Sequence, residues 1–148
     1  MKRNTAITRV TLWVNRLICL LLALFVIAMP ALLRWYAGFR PLVESARYAI
    51  LLAFYPCAIA AAVALWQMDR VLCAILEGKI FVRKNVSRIR VVRWCCAAIS
   101  LVCVPAAFFY MPLGFMVVIM AFLSLVITVL VRVMTAAVEI REENDLTI

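Results

Sequence analysis

Uncharged stretches alternate with short charged intervals along this chain, and their lengths dictate its architecture. Residues 17–33 and 48–68 carry no charge, and residues 94–131 form one uncharged run of 38 residues. As a single helix that run would be about 57 Å long, nearly twice the roughly 30 Å of a bilayer's hydrocarbon core. It therefore divides. The stretch YMPLGF at residues 110–115 supplies Pro112 and Gly114 as turn residues near its middle. The pattern predicts an all-α, integral membrane four-helix bundle forming one domain over residues 1–148. Its helices fall at about 10–33, 45–68 with an extension to 77, 86–110 and 115–138.

Composition sharpens this. Hydrophobic residues make up 69% of the chain and charged residues 16%, against about 45–50% and 25% in soluble domains. Too little polar surface remains to cover a globule. Lys2, Arg3 and Arg9 before the first apolar stretch resemble a signal peptide, but no A-x-A site follows. Arg34, Trp35 and Tyr36 stand there instead, placed like interfacial anchors, so the first helix is expected to be retained. Neither a soluble domain nor an internal repeat is evident.

The charges set an orientation. Four spans put both termini and the central loop on one side. That side holds Lys2, Arg3, Arg9, Arg16, Arg70, Lys79, Arg83, Lys84, Arg88, Arg90, Arg93, Arg132 and Arg141, against Arg34, Arg40 and Arg47 on the other. The bias predicts a multi-pass protein of the inner (cytoplasmic) membrane with both termini cytoplasmic. Direct nucleic-acid binding is not expected, because the loop offers no folded element to enter a groove. Anionic lipid headgroups are its first partners.

The loop's pattern goes beyond a topology signal. Val71, Leu72, Ile75 and Leu76 recur at helical spacing, so the second helix continues past the bilayer until Gly78, a residue suited to a left-handed cap. Asn85 is read as the N-cap of a third helix carrying Val86, Ile89 and Val92 on one face. A helical hairpin with Ile80, Phe81 and Val82 at its tip results. With Asp69 and Glu77 included, residues 69–93 carry a net +5, whereas Glu139, Glu142, Glu143 and Asp145 with Arg141 leave the C-terminal segment at −3. The two are expected to attract, with Leu146 and Ile148 meeting the tip.

These residues resemble a known family. AILEGKIFVRKNVSRIR, with Leu76, Gly78, Phe81, Asn85, Arg88 and Arg90, is similar to the intracellular hairpin of small bacterial four-helix membrane proteins described as a domain of unknown function (number 2975). The ending EENDLTI, with Glu142, Glu143, Asn144 and Asp145, resembles the same family's C-terminus. The resemblance implies a four-span fold and marks those hairpin and tail residues as the binding surface. Members are often encoded beside a Cro-like helix-turn-helix regulator, which implies a cytosolic transcription factor as partner. Many members also extend a few residues past Thr-Ile.

Little chemistry is written in the chain. It has no histidine, which removes His-based acid–base and triad chemistry. No carboxylate falls at mid-membrane, where a proton relay would need one. Cys19, Cys57, Cys73, Cys95, Cys96 and Cys103 include no C-x-x-C pair. They are read as small packing residues, with lipidation of Cys73 or Cys95 as the alternative. Asn15 and Arg16 are expected to snorkel to the interface. Catalytic residues, metal ligands and cofactors are therefore none, and the chain is read as no enzyme. The favoured function is a membrane-anchored interaction or regulatory partner of a cytosolic protein. The rival is a small-molecule or lipid sensor, or an oligomeric channel or transporter subunit, with its site near Pro56 and Pro105.

Overall fold

The computed structural model describes residues 2–39, 44–78, 82–109 and 111–146. They form α1 (Lys2–Phe39), α2 (Glu44–Leu76), α3 (Arg83–Phe109) and α4 (Pro112–Leu146), with no strand among the described residues. All four are long and apolar enough to cross a membrane. The uncharged run divides as its length requires, but more tightly than its turn residues suggest. α3 ends at Phe109, Pro112 opens α4, and Gly114 already lies in that helix's first turn, its N–H donating to the Met111 carbonyl over 2.9 Å. Proline suits that first position, where its missing N–H would have no partner in any case.

The helices have 38, 33, 27 and 35 residues, or about 57, 50, 40 and 52 Å. All exceed the roughly 30 Å core. Exposed aromatic residues show where the excess lies. Trp13 and Trp35 of α1 are 22 residues apart, about 33 Å along the helix. Tyr48 and Trp66 of α2 are 18 apart, about 27 Å. Such pairs mark the two faces of a bilayer. The Asn15 amide donates to the Leu65 carbonyl over 3.1 Å, which brings Trp13 and Trp66 to one level. Arg88 of α3 donates to the Arg70 carbonyl over 3.0 Å, which brings Trp94 close to the same level. Beyond this girdle α2, α3 and α4 continue together as the basic end of the molecule.

Packing follows chain order. α1 packs on α2, α2 on α3 and α3 on α4, and among the described residues α1 does not approach α4. The bundle is therefore open between its first and last helices. The covered positions of α1 include Thr8, Leu12, Asn15, Leu22, Val26, Met29 and Leu33, spaced three, four or seven residues apart along one coiled-coil-like seam. α3 is the central element, with Val86, Ile89, Val92, Cys96, Ile99, Cys103 and Ala106 buried along it. The main buried cluster joins Val71, Val86, Ile89, Val131 and Val138 at the basic end, flanked by Ile75, Ile127 and Met134. Within the hydrocarbon, lipid tails solvate side chains as well as a neighbouring helix does, and Leu52 and Phe108 stay 78% and 88% exposed.

Within the spans, polar contacts join the helices alongside apolar ones such as Phe25 on Phe54, whose ring centroids lie 5.6 Å apart. Ser100 Oγ donates to the Val117 carbonyl over 3.1 Å, and Ser124 Oγ to the Arg93 carbonyl over 3.4 Å. Near Pro56 and Pro105, Cys57 Sγ lies 3.7 Å from Cys103 Sγ. A membrane-permeable copper oxidant should therefore join α2 to α3 there and lower the titratable thiols from six to four. An equal thiol loss in a Cys57→Ala variant would mean that the two helices do not meet at these positions.

Candidate functional site

The basic end is where charge, order and exposed chain coincide. α2 stops because Gly78 takes the left-handed conformation, with φ of 77°, and its N–H donates to the Ile75 carbonyl over 3.0 Å. A side chain at that φ would be strained, so the glycine ends the helix as its position suggests. The N-cap reading of Asn85 is corrected. α3 already begins at Arg83, the N–H of Asn85 donates to the Val82 carbonyl over 2.9 Å, and Val82 holds the cap position. The Asn85 side chain is buried, only 2% exposed. No buried side-chain nitrogen or oxygen among the described residues lacks a partner, so its amide is satisfied. A polar side chain that ordinarily faces water as a cap is here a fixed part of the core.

The C-terminal segment meets the hairpin, but as a helix. α4 continues to Leu146 without a break, eight residues past the predicted end at 138. That continuation brings Glu142 onto Arg83. The guanidinium Nε donates to both carboxylate oxygens over 2.9 and 3.2 Å, and Nη2 donates to Oε2 over 2.6 Å. Such a two-point geometry is selective for a planar oxyanion, although both side chains are exposed and screened. Arg90 lies beside the same α3–α4 groove with Ser87, Thr135 and Glu139. Arg88 points the other way and ties α3 to α2 through the Arg70 carbonyl. Glu143 and Asn144 are exposed on the last turn of α4, and Asp145 belongs to that helix. Phe81, with Lys79 and Ile80, lies outside the described residues, as do Thr147 and Ile148, so the meeting of tip and tail ends falls outside them too.

Two kinds of feature at this end were not read from the sequence, a set of polar anchoring contacts and a cleft. Arg16 does not simply snorkel: its Nε donates to Asp69 over 3.1 Å, fastening α1 to α2 at the girdle. Arg70 and Arg93 fold over the rings of Trp66 and Trp94 at 5.6 and 5.1 Å. The proximity of Trp66 to Arg70, four residues on, could have signalled the first of these; the Arg16–Asp69 pair needed the fold. The second feature is an apolar cleft of about 540 Å³ between α2, α3 and α4. α1 contributes nothing to its lining, because the bundle is open on that side. Among the described residues no three histidine, cysteine or carboxylate side chains gather as a metal site.

Four membrane-spanning helices with a packed, charged extension on one side define a multi-pass membrane protein. The chain belongs to the family described as "Protein of unknown function (DUF2975)", which matches residues 35–148. The matched part begins at the end of α1 and covers α2, α3 and α4, the helices that build the core, the ion pair and the cleft. No curated protein and no solved structure matches the chain.

Proposed function

We propose that this protein is a non-enzymatic, membrane-anchored interaction or regulatory component that holds a cytosolic partner at the inner membrane. Both termini and the α2–α3 hairpin face the cytoplasm in this reading, as the positive-inside bias requires. The observation that carries it is the buried cluster of Val71, Val86, Ile89, Val131 and Val138 beyond the girdle. Crossing a bilayer requires no aqueous extension of three helices with its own apolar core. A surface held rigid for another protein does. The family resemblance points to a helix-turn-helix regulator as that partner.

Orientation is checked by labelling single cysteines in a cysteine-free background. Gly38→Cys, where an added Cβ meets nothing within 4 Å, should react with an impermeant maleimide applied to intact cells. Lys84→Cys should react only after permeabilisation, and labelling of Lys84→Cys in intact cells would overturn the orientation. The function is checked by crosslinking in cells and identifying what is joined to the basic end. A cytosolic protein should be recovered with the wild-type chain and lost when the core is disrupted at equal membrane abundance. Recovery unaffected by that disruption, or no cytosolic protein at all, sinks the reading.

A further inference from the structure

The small groove between α3 and α4 has walls of opposite hydrogen-bonding character. It encloses about 220 Å³ and is lined by Arg83, Ser87, Arg90, Thr135 and Glu139 with Val86 and Val138, which is room for several waters. Arg83 is already held by both carboxylate oxygens of Glu142. That leaves Arg90 and Ser87 on α3, which offer N–H and O–H donors. On α4, Thr135 Oγ1 gives its own proton to the Val131 carbonyl over 2.7 Å, so toward the groove it can only accept. Glu139 beside it is a carboxylate and accepts as well. One wall suits an anion and the other a cation.

The depth of the groove suits a lipid headgroup. Arg90 lies four residues past Trp94, and Thr135 and Glu139 lie four and eight past Val131, where the uncharged run ends. Those offsets are about 6, 6 and 12 Å, and a bilayer's headgroup layer is roughly 5–8 Å deep on each side. Toward the membrane the same faces turn apolar, because residues seven apart share one side of a helix. Trp94 and Leu101 follow Ser87 at that interval on α3, and Leu125 and Arg132 precede Glu139 on α4, all four exposed. From the hydrocarbon outward the groove therefore runs apolar, basic and then acidic. Acyl chain, phosphate and ammonium follow one another in that order in a phospholipid with an ethanolamine headgroup.

We propose that this groove binds one ethanolamine phospholipid, its phosphate on Arg90 and Ser87 and its ammonium on Glu139 and Thr135. The acyl chains lie along Trp94, Leu101 and Leu125, within the bilayer. Arg132, exposed just past Val131, adds to the attraction for the phosphate. Glu139 selects the headgroup. It repels a purely anionic one, and the methylated ammonium of choline has no N–H to give to Glu139 or Thr135. Of the other acidic residues at this end, Glu142 is bound to Arg83, and Glu77 and Glu143 do not line the groove. The site depends neither on the anchoring function nor on which side of the membrane the basic end faces.

The test presents the delipidated full chain in detergent with equal amounts of phosphatidylethanolamine, phosphatidylcholine and phosphatidylglycerol of identical acyl chains. Native mass spectrometry should show one phosphatidylethanolamine retained about tenfold over either competitor, the worth of a charge-assisted hydrogen bond. Glu139→Gln, at an exposed position, should remove that preference while the melting temperature stays unchanged. Thr135→Val keeps the side chain's shape, removes the acceptor and should weaken the preference in the same direction. Arg90→Gln should lower retention of all three lipids, since each carries the phosphate. Equal retention of the three, a preference for phosphatidylglycerol, or a preference that survives both α4 variants overturns the proposal. So does retention untouched by Arg90→Gln. Displacement of the bound lipid by an equal concentration of soluble phosphoethanolamine would make the site one for a free phosphate ester and overturn the lipid assignment.

Discussion

Ile89→Asp is expected to unfold the basic end while leaving the spans in the membrane. Ile89 is 8% exposed within the cluster of Val71, Val86, Val131 and Val138. A carboxylate there would stand among the apolar side chains of the cluster, and burying a charge in such a core is among the few single-residue changes that cost about 4 kcal/mol or more. The purified variant should lose its cooperative thermal transition, and Cys95 and Cys96, buried in the native protein, should react with a thiol reagent. Phe108→Ala provides the contrast. It removes a larger apolar side chain, but one that is 88% exposed at the opposite end and faces lipid, so its melting temperature should stay near that of the wild type. Equal destabilisation by the two changes would show that the protein's core is not at its basic end.

Asn85→Ala carries the second-largest expected effect. The side chain is the most deeply buried in the protein among the described residues, and its polar atoms are satisfied. Truncation removes a satisfied, fully buried polar side chain from the core, a loss of about 1–3 kcal/mol. Asn85→Asp should cost more, because it adds a charge at the same place. An exposed N-cap replaced by alanine loses about 1 kcal/mol, and aspartate would then substitute without loss. The order of the two variants therefore separates a core residue from a cap, and chemical denaturation in detergent reads it directly. An aspartate variant as stable as wild type would restore the cap reading.

How much of this was legible depends on the range over which each force acts. The spans were legible because bilayer thickness and helix rise are fixed lengths, so a 38-residue uncharged run has to turn once. Gly78 was legible because left-handed backbone is a local property that glycine meets without strain. Asn85 was misassigned for the converse reason. Its type suits a cap, but Val82 and Arg83 take the helix start, and the packing of α2, α3 and α4 closes over the amide.

The attraction between an acidic ending and a basic hairpin was also visible in the charges, whereas its form was not. The sequence suggested a tail settling on the hairpin; α4 stays helical to Leu146 and delivers Glu142 to Arg83, while Phe81 and Ile148, the apolar partners expected to meet, lie outside the described residues. The candidate site divides in the same way. Arg88, Arg90 and Glu142 could be picked out by type and motif, yet only the fold shows that Arg88 serves α2 while Glu142 serves Arg83. The Cys57–Cys103 contact and the cleft left no trace in spacing along the chain. Sequence alone therefore determined the membrane class, the number of spans and the end at which charge collects, because those follow from local composition and fixed lengths. Tertiary structure decided which charges pair, that the main buried cluster gathers at the basic end, and that the bundle stays open beside α1. Those depend on which helices touch, and within lipid the hydrophobic pattern does not distinguish a neighbouring helix from an acyl chain.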